Sequence, residues 1–199
     1  MILLRTFAKR RFSSSALDGW IAQSKSLALT DSGTFAPTHL ADLYVTLPTR
    51  DGSRPSHPYQ PPIQGSPLGY GHHLAFFHPR HPESALRPDG TDADFCPPEP
   101  FTRRMWASGT MRWNTTPGGG LRVGGDARAV STIARVEKKG FDAADAHPMV
   151  FVTQRIHVTA RGHEEPSVVE ERSHVYLASR GNKRDARQGV TVTATVSPY

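Results

Sequence analysis

Two stretches in the second half of this chain alternate with a period of two, and that pattern constrains the fold more than any other feature. In residues 149–159, Val150, Val152, Ile156 and Val158 fall on one side, and Thr153, Arg155 and His157 fall on the other. A strand with this pattern buries one face and shows the other to solvent. Residues 168–177 alternate again, with Val169, Val175 and Leu177 expected on the apolar side. A strand is also expected to begin at residues 110–114, and another to run through 121–138, where Val123, Val130, Ile133 and Val136 recur. Glycines and charged residues separate these runs, which suits antiparallel neighbours joined by turns.

One face of such a sheet must be covered, and the candidate cover is helical material from the first half. Residues 16–100 otherwise read as irregular. A helix is expected from His39 to Leu47, with Thr38 as N-cap and Leu40, Leu43, Tyr44 and Leu47 on one face. Residues 48–67 are dense in Pro, Gly, Ser and Arg and read as a loop. The expected class is α+β, a curved antiparallel sheet packed on a helix.

The first fifteen residues, MILLRTFAKRRFSSS, are rich in Arg, Lys and Ser, and no acid precedes Asp18. Leu3, Leu4, Phe7 and Ala8 share one helical face, with Arg5, Lys9 and Arg10 toward the other. This is the pattern of a mitochondrial transit peptide, and a matrix location is expected; a basic helix lying on a membrane surface is the alternative. The formal net charge is +6, from 24 basic and 18 acidic residues. Arg5, Lys9, Arg10 and Arg11 account for four of those charges; without them 20 stand against 18, a balance of +2. The basic character therefore belongs to the leader, and nucleic acid is not an expected partner. No run approaches the roughly 20 apolar residues of a membrane span. Cys96 is the lone cysteine, so neither a disulfide framework nor a cysteine metal site is available.

Residues 97–109, PPEPFTRRMWASG, place two adjacent arginines beside a Met-Trp pair after a Pro-rich approach. Residues 67–79, PLGYGHHLAFFHP, are equally aromatic and equally punctuated by Gly and Pro. These blocks are followed in order by LRVGGDA, PMVFVTQRIHV and VVEERSHVYL. In that order, over about residues 17–177, the chain resembles the N-terminal half of fungal mitochondrial 3-hydroxyacyl-thioester dehydratases of type 2. It is also similar to the first half of bacterial mesaconyl-CoA hydratases, in the MaoC-like group.

The resemblance implies a hot-dog fold, a curved antiparallel sheet wrapped on a long helix, present here as a single unit of a normally double protein. It divides the chain into a leader at 1–15, a hot-dog domain at 16–180 and a divergent tail at 181–199, where a further strand is conceivable. It implies dehydration of (3R)-3-hydroxyacyl thioesters to trans-2-enoyl thioesters, on acyl carrier protein or coenzyme A, in mitochondrial fatty-acid synthesis and without a cofactor. The chemistry needs a base for the proton beside the thioester carbonyl and an acid for the departing hydroxyl. In the family an Asp or Asn and a His do this work from the second unit, so no catalytic residue is expected within these 199 residues.

Arg103, Arg104, Met105 and Trp106 are the expected substrate-binding residues. The arginines would face phosphopantetheine or carrier-protein acids, and Met105 and Trp106 would line the acyl channel. The competing structural role buries Trp106 in the core and pairs the arginines with local acids such as Glu99. Asp142 and His147 stand five apart, an offset seen in MaoC-like motifs, but without the Asn-Pro between them a solvated turn is expected. His72, His73, His78 and His81 lie within ten residues, yet Pro79 and Pro82 break any ligand spacing, so packing is expected rather than metal. The glycines at 118–120 and 124–125 lack a following Lys-Ser or Lys-Thr, which argues against a phosphate loop.

Two functions are therefore expected as alternatives. One is a dehydratase whose catalytic half lies outside this sequence. The other is a non-catalytic single hot-dog protein that binds acyl groups or serves as partner subunit. A lone unit leaves a sheet edge open, so a homodimer or pairing with a second hot-dog unit is expected.

Overall fold

The computed structural model describes residues 14–46, 61–141 and 147–178. Of the leader expected at 1–15, residues 1–13 lie outside these residues, as does the whole of the tail expected at 181–199. Helix α1 (Ser14–Ser24) leads to strand β1 (Ala28–Thr34) and helix α2 (Pro37–Thr46). Residues 61–100, mostly irregular with two 3-10 turns at His72–Ala75 and Glu83–Ala85, precede β2 (Phe101–Trp113), β3 (Asp126–Lys139), β4 (Met149–Ala160) and β5 (Val168–Ala178). The five strands form one sheet in the order β1-β3-β4-β5-β2, and every neighbouring pair is antiparallel. This is the expected α+β architecture, a single hot-dog unit.

The helix starts earlier than the sequence pattern predicts. Leu40 N donates to Ala36 O at 3.1 Å, so the helix opens at Pro37 and Thr38 lies inside it. Proline suits that first position because its φ is preset and it has no N–H to satisfy. The helix stops at Thr46, whose hydroxyl bonds back to Asp42 O at 2.9 Å. Leu47, the last residue of the expected helix, lies outside the described residues. The cover is thus two short helices and an irregular strap rather than one long helix.

Two clusters of apolar side chains sit on the same face of the sheet. At one end Leu17, Trp20 and Ile21 of α1 pack with Val150, Val152, Tyr176 and Phe101. At the other, Leu40 and Leu43 of α2 and the strap residues Leu68, Phe76 and Phe77 pack with Phe35, Ala129, Val158 and Val168. Phe35 meets Phe76 and Phe77 edge-on, with ring centroids 5.0 and 5.5 Å apart. Residues 121–125 do not extend β3, as expected from the sequence, but turn through Gly124 at φ +73°. That turn brings Gly124 N to Phe35 O at 2.8 Å and buries Leu121 and Val123.

The parity expected for β4 holds, whereas that of β5 is reversed. Register pairs Val150 with Tyr176, Val152 with His174, Ile156 with Glu170 and Val158 with Val168. The covered face of β5 therefore carries Val168, Glu170, Arg172, His174 and Tyr176. Val169, Val175 and Leu177 share the opposite face with Met149 and Phe151. An apolar count favours the wrong side here because both sides of this strand carry apolar residues, and the paired neighbour decides which is buried.

Candidate functional site

The expected site segment, residues 101–106, is part of β2 and not a loop at a groove mouth. Among the described residues β2 ends the sheet and pairs only with β5, so it is an edge strand there. Successive strand residues point to opposite faces, and this splits the expected quartet. Arg104 pairs with Tyr176 and Trp106 with His174 on the covered face. Arg103 pairs with Leu177 and Met105 with Val175 on the outer face. The four side chains do not converge.

Trp106 is 59% exposed, so it is not a core residue. A register shift between Trp106 and Ser108 puts Gly109 on the same side as the indole. A Cβ at Gly109 would lie 2.6 Å from the indole Cζ2, so the ring rests where only glycine leaves room. Its other contact is the His174 ring, edge-on at 5.5 Å. Arg104 has Asp92 at 3.9 Å and lies opposite Tyr176 on β5, so its acidic neighbour is Asp92 rather than Glu99.

The covered face of β5 supplies what the sequence analysis missed. Glu170 is 2% exposed and accepts from Arg172 through both Nε and Nη2, the latter at 3.0 Å. His73 Nε2 lies 3.7 Å from its other side. Burial pushes the Glu170 carboxyl up, but His73 and Arg172 outweigh it and hold it below the ordinary carboxylate value. Tyr176 is buried at the far end, with its hydroxyl 3.4 Å from Cys96 Sγ. Burial and then Cys96 push that hydroxyl up, so it keeps its proton. Arg87 fixes the strap there, donating to Cys96 Sγ at 3.3 Å and to Thr102 O at 2.8 Å.

Between these two anchored ends His174 lies half-buried. Burial first, then the charges of Arg104 and Arg172, lower its pKa, with Asp92 opposing. It is a neutral imidazole at pH 7, able to donate and accept hydrogen bonds. The result is a polar floor of Arg172, His174 and Arg104 on the covered face, with the exposed indole of Trp106 as an apolar wall at the sheet edge. Such a floor can hold a carbonyl or other oxygen, and the wall can hold an alkyl chain.

The sequence signal for this floor is the run EERSHVY, which places Glu, Arg, His and Tyr at one parity. The histidine-rich segment splits up: His73 is buried against Glu170, His72 packs edge-on against Tyr44 at 5.0 Å, and His81 Nε2 meets Asp94 Oδ2 at 2.9 Å on the surface. Among the described residues no three His, Cys, Asp or Glu side chains form a metal-holding group. His147 lies between β3 and β4, and Asp142 is outside the described residues. No helix among the described residues is long and apolar enough to cross a membrane.

The chain matches the family of hydroxyacyl-thioester dehydratase type 2 over residues 71–197, and it belongs to that family. It is 33% identical over 117 residues to mesaconyl-C(4)-CoA hydratase of Chloroflexus aurantiacus. That stretch is 58% of this chain and 39% of the hydratase, so the match spans less than half of the relative's length. A chain of the ChsH1-ChsH2 complex from Mycobacterium tuberculosis aligns over 85% of this chain and 95% of its own length. The TM-score is 0.45 and the identity 12%.

Proposed function

We propose that this chain is the substrate-holding unit of a 3-hydroxyacyl-thioester dehydratase of mitochondrial fatty-acid synthesis. The observation that carries this is the family match, which includes the whole of β2 and β5, the two strands whose covered face we propose as the acyl groove. A relative that is a hydratase of a coenzyme A thioester supports a thioester substrate. The acyl chain lies against Trp106, and the thioester end faces His174, Arg104 and Arg172. The carrier is acyl carrier protein, and the basic leader directs the chain to the mitochondrial matrix.

The acid and base come from a second hot-dog unit, in this polypeptide or another. The two His–carboxylate contacts described here do not offer a substitute. One, His73–Glu170, is sealed in the interior, and the other, His81–Asp94, pairs its two groups with each other on the surface. A second unit also covers an open sheet edge. The same groove serves a non-catalytic acyl-binding partner subunit, and turnover separates the two functions. The test is to measure binding and hydration of crotonyl-pantetheine on one preparation of this chain, alone and with its second unit.

A further inference from the structure

A second concave feature lies away from the groove, at the end of the sheet where β3 begins and β4 ends. It is a cleft of about 230 Å³ whose back wall includes Phe35 and Leu121. Arg122, Asp126, Arg161 and His163 line it, with the backbone of Gly118 and Gly120. The charges around it do not cancel. Asp126 is fully engaged: Thr34 Oγ1 donates to Oδ1 at 2.5 Å, and Arg161 Nη1 donates to Oδ2 at 3.1 Å. These bonds hold its carboxyl below the usual range, so it is ionised and balanced by Arg161. Arg122 has a neutral partner instead, donating from Nη1 to Gly65 O at 2.9 Å. Its guanidinium is therefore positioned, and no carboxylate in the cleft wall offsets its charge.

We propose that this cleft binds a phosphate group, held by Arg122 with Arg161 and His163 at the rim. Arginine matches phosphate oxygens through its planar fork of donors, and the glycines leave the backbone open to close approach. Gly118 and Gly120 would meet no neighbour within 4 Å on gaining a Cβ, so packing alone does not require them to be small. Gly118 also sits at φ +85°, which side chains resist. The site lies outside the acyl groove and does not rest on the dehydratase activity.

Phosphate presents itself on a thioester carrier in two places, the pantetheine arm and the 3′-phosphate of coenzyme A. Titration calorimetry on the full chain at low ionic strength separates them. The probes are inorganic pyrophosphate, 4′-phosphopantetheine against pantetheine, and coenzyme A against its 3′-dephospho form. Pyrophosphate is expected to bind, and Arg122→Gln to weaken it about tenfold, while Arg122→Lys keeps the charge without the planar fork and retains only part of the affinity. A tighter Kd for 4′-phosphopantetheine than for pantetheine assigns the arm, and a gap between the two coenzyme A forms assigns the 3′-phosphate. Thermal melting of each variant separates lost binding from lost folding, and His163→Asn provides a second, surface-exposed variant. The proposal is overturned if pyrophosphate fails to bind the folded wild-type chain, or if folded Arg122→Gln binds it as wild type does. Crotonyl-pantetheine binding in the groove is unaffected by either result.

Discussion

His73 Nε2 and Glu170 Oε2 face each other at 3.7 Å, and each side chain is only 3% exposed. The contact ties the irregular strap to the most polar stretch of β5 and so closes one end of the groove. Arg172 completes the cluster from the same strand face.

Breaking that cluster is expected to be costly, because a buried charge left without its partner is strongly destabilising. Glu170→Ala should lower stability by about 3–5 kcal/mol in urea unfolding at pH 7. The pH dependence has a definite sign. The folded carboxyl titrates below its unfolded value of 4.5, so its contribution is complete above that value and is lost as pH falls through the folded one. Wild type should therefore lose stability more steeply than Glu170→Gln below about pH 4.5, whereas parallel pH profiles would contradict this assignment.

Trp106 and Gly109 should behave as a coupled pair. Trp106→Ala is expected to cost under about 1 kcal/mol, because the indole is mostly exposed. Gly109→Ala puts a Cβ 2.6 Å from the indole and 3.0 Å from Glu171 O, and should cost about 1–3 kcal/mol. In the Trp106→Ala background part of that cost should vanish, and a double-mutant cycle measures it. Strict additivity would mean the indole does not occupy the space over Gly109.

Two of the apolar residues of α2, Leu40 and Val45, predict opposite outcomes. Leu40 is fully buried between α2 and the sheet, whereas Val45 is 64% exposed. Leu40→Ala should destabilise by about 2–5 kcal/mol, and Val45→Ala by less than about 0.5 kcal/mol. Equal melting shifts would show that α2 does not anchor the cover.

His81 should titrate above the ordinary histidine value, because it is hydrogen-bonded to Asp94 and close to its charge. Any contribution to stability is present below the unfolded pKa of 6.5 and fades as pH rises through the folded one. Proton NMR should find its midpoint shifted up in wild type and returned toward 6.5 in Asp94→Asn. A midpoint unchanged by that substitution would rule the contact out in solution.

The elements with the cleanest periodicity were legible from the residues alone. The spans of β4 and β5 match the expected strands to within one residue or so, and α2 differs by a cap and a residue. β1 was not legible, because ALTDSGT carries turn-forming residues and is held extended by pairing with β3 from Ala28–Thr132 to Thr34–Asp126. α1 was hidden for a different reason: its Gly19 and Asp18 weaken the local signal, and Leu17 gains its burial from Val150 and Tyr176, distant in sequence. Arg103, Arg104, Met105 and Trp106 read as one group because adjacency in sequence hides the alternation of a strand, which puts Arg104 and Trp106 on one face and Arg103 and Met105 on the other. Glu170, Arg172 and His174 escaped notice because β5 has apolar residues on both faces, and only register with β4 tells which face is covered.

The central claim is that the groove floored by His174 and walled by Trp106 holds an acyl thioester whose acid and base come from a second unit. The most direct measurement is crotonyl-pantetheine binding and hydration by the purified chain, with Trp106→Ala and His174→Asn alongside. The account predicts saturable binding by wild type, weakened about tenfold in each variant, with no hydration until the second unit is added. Hydration by this chain alone, or binding indifferent to both substitutions, would contradict it.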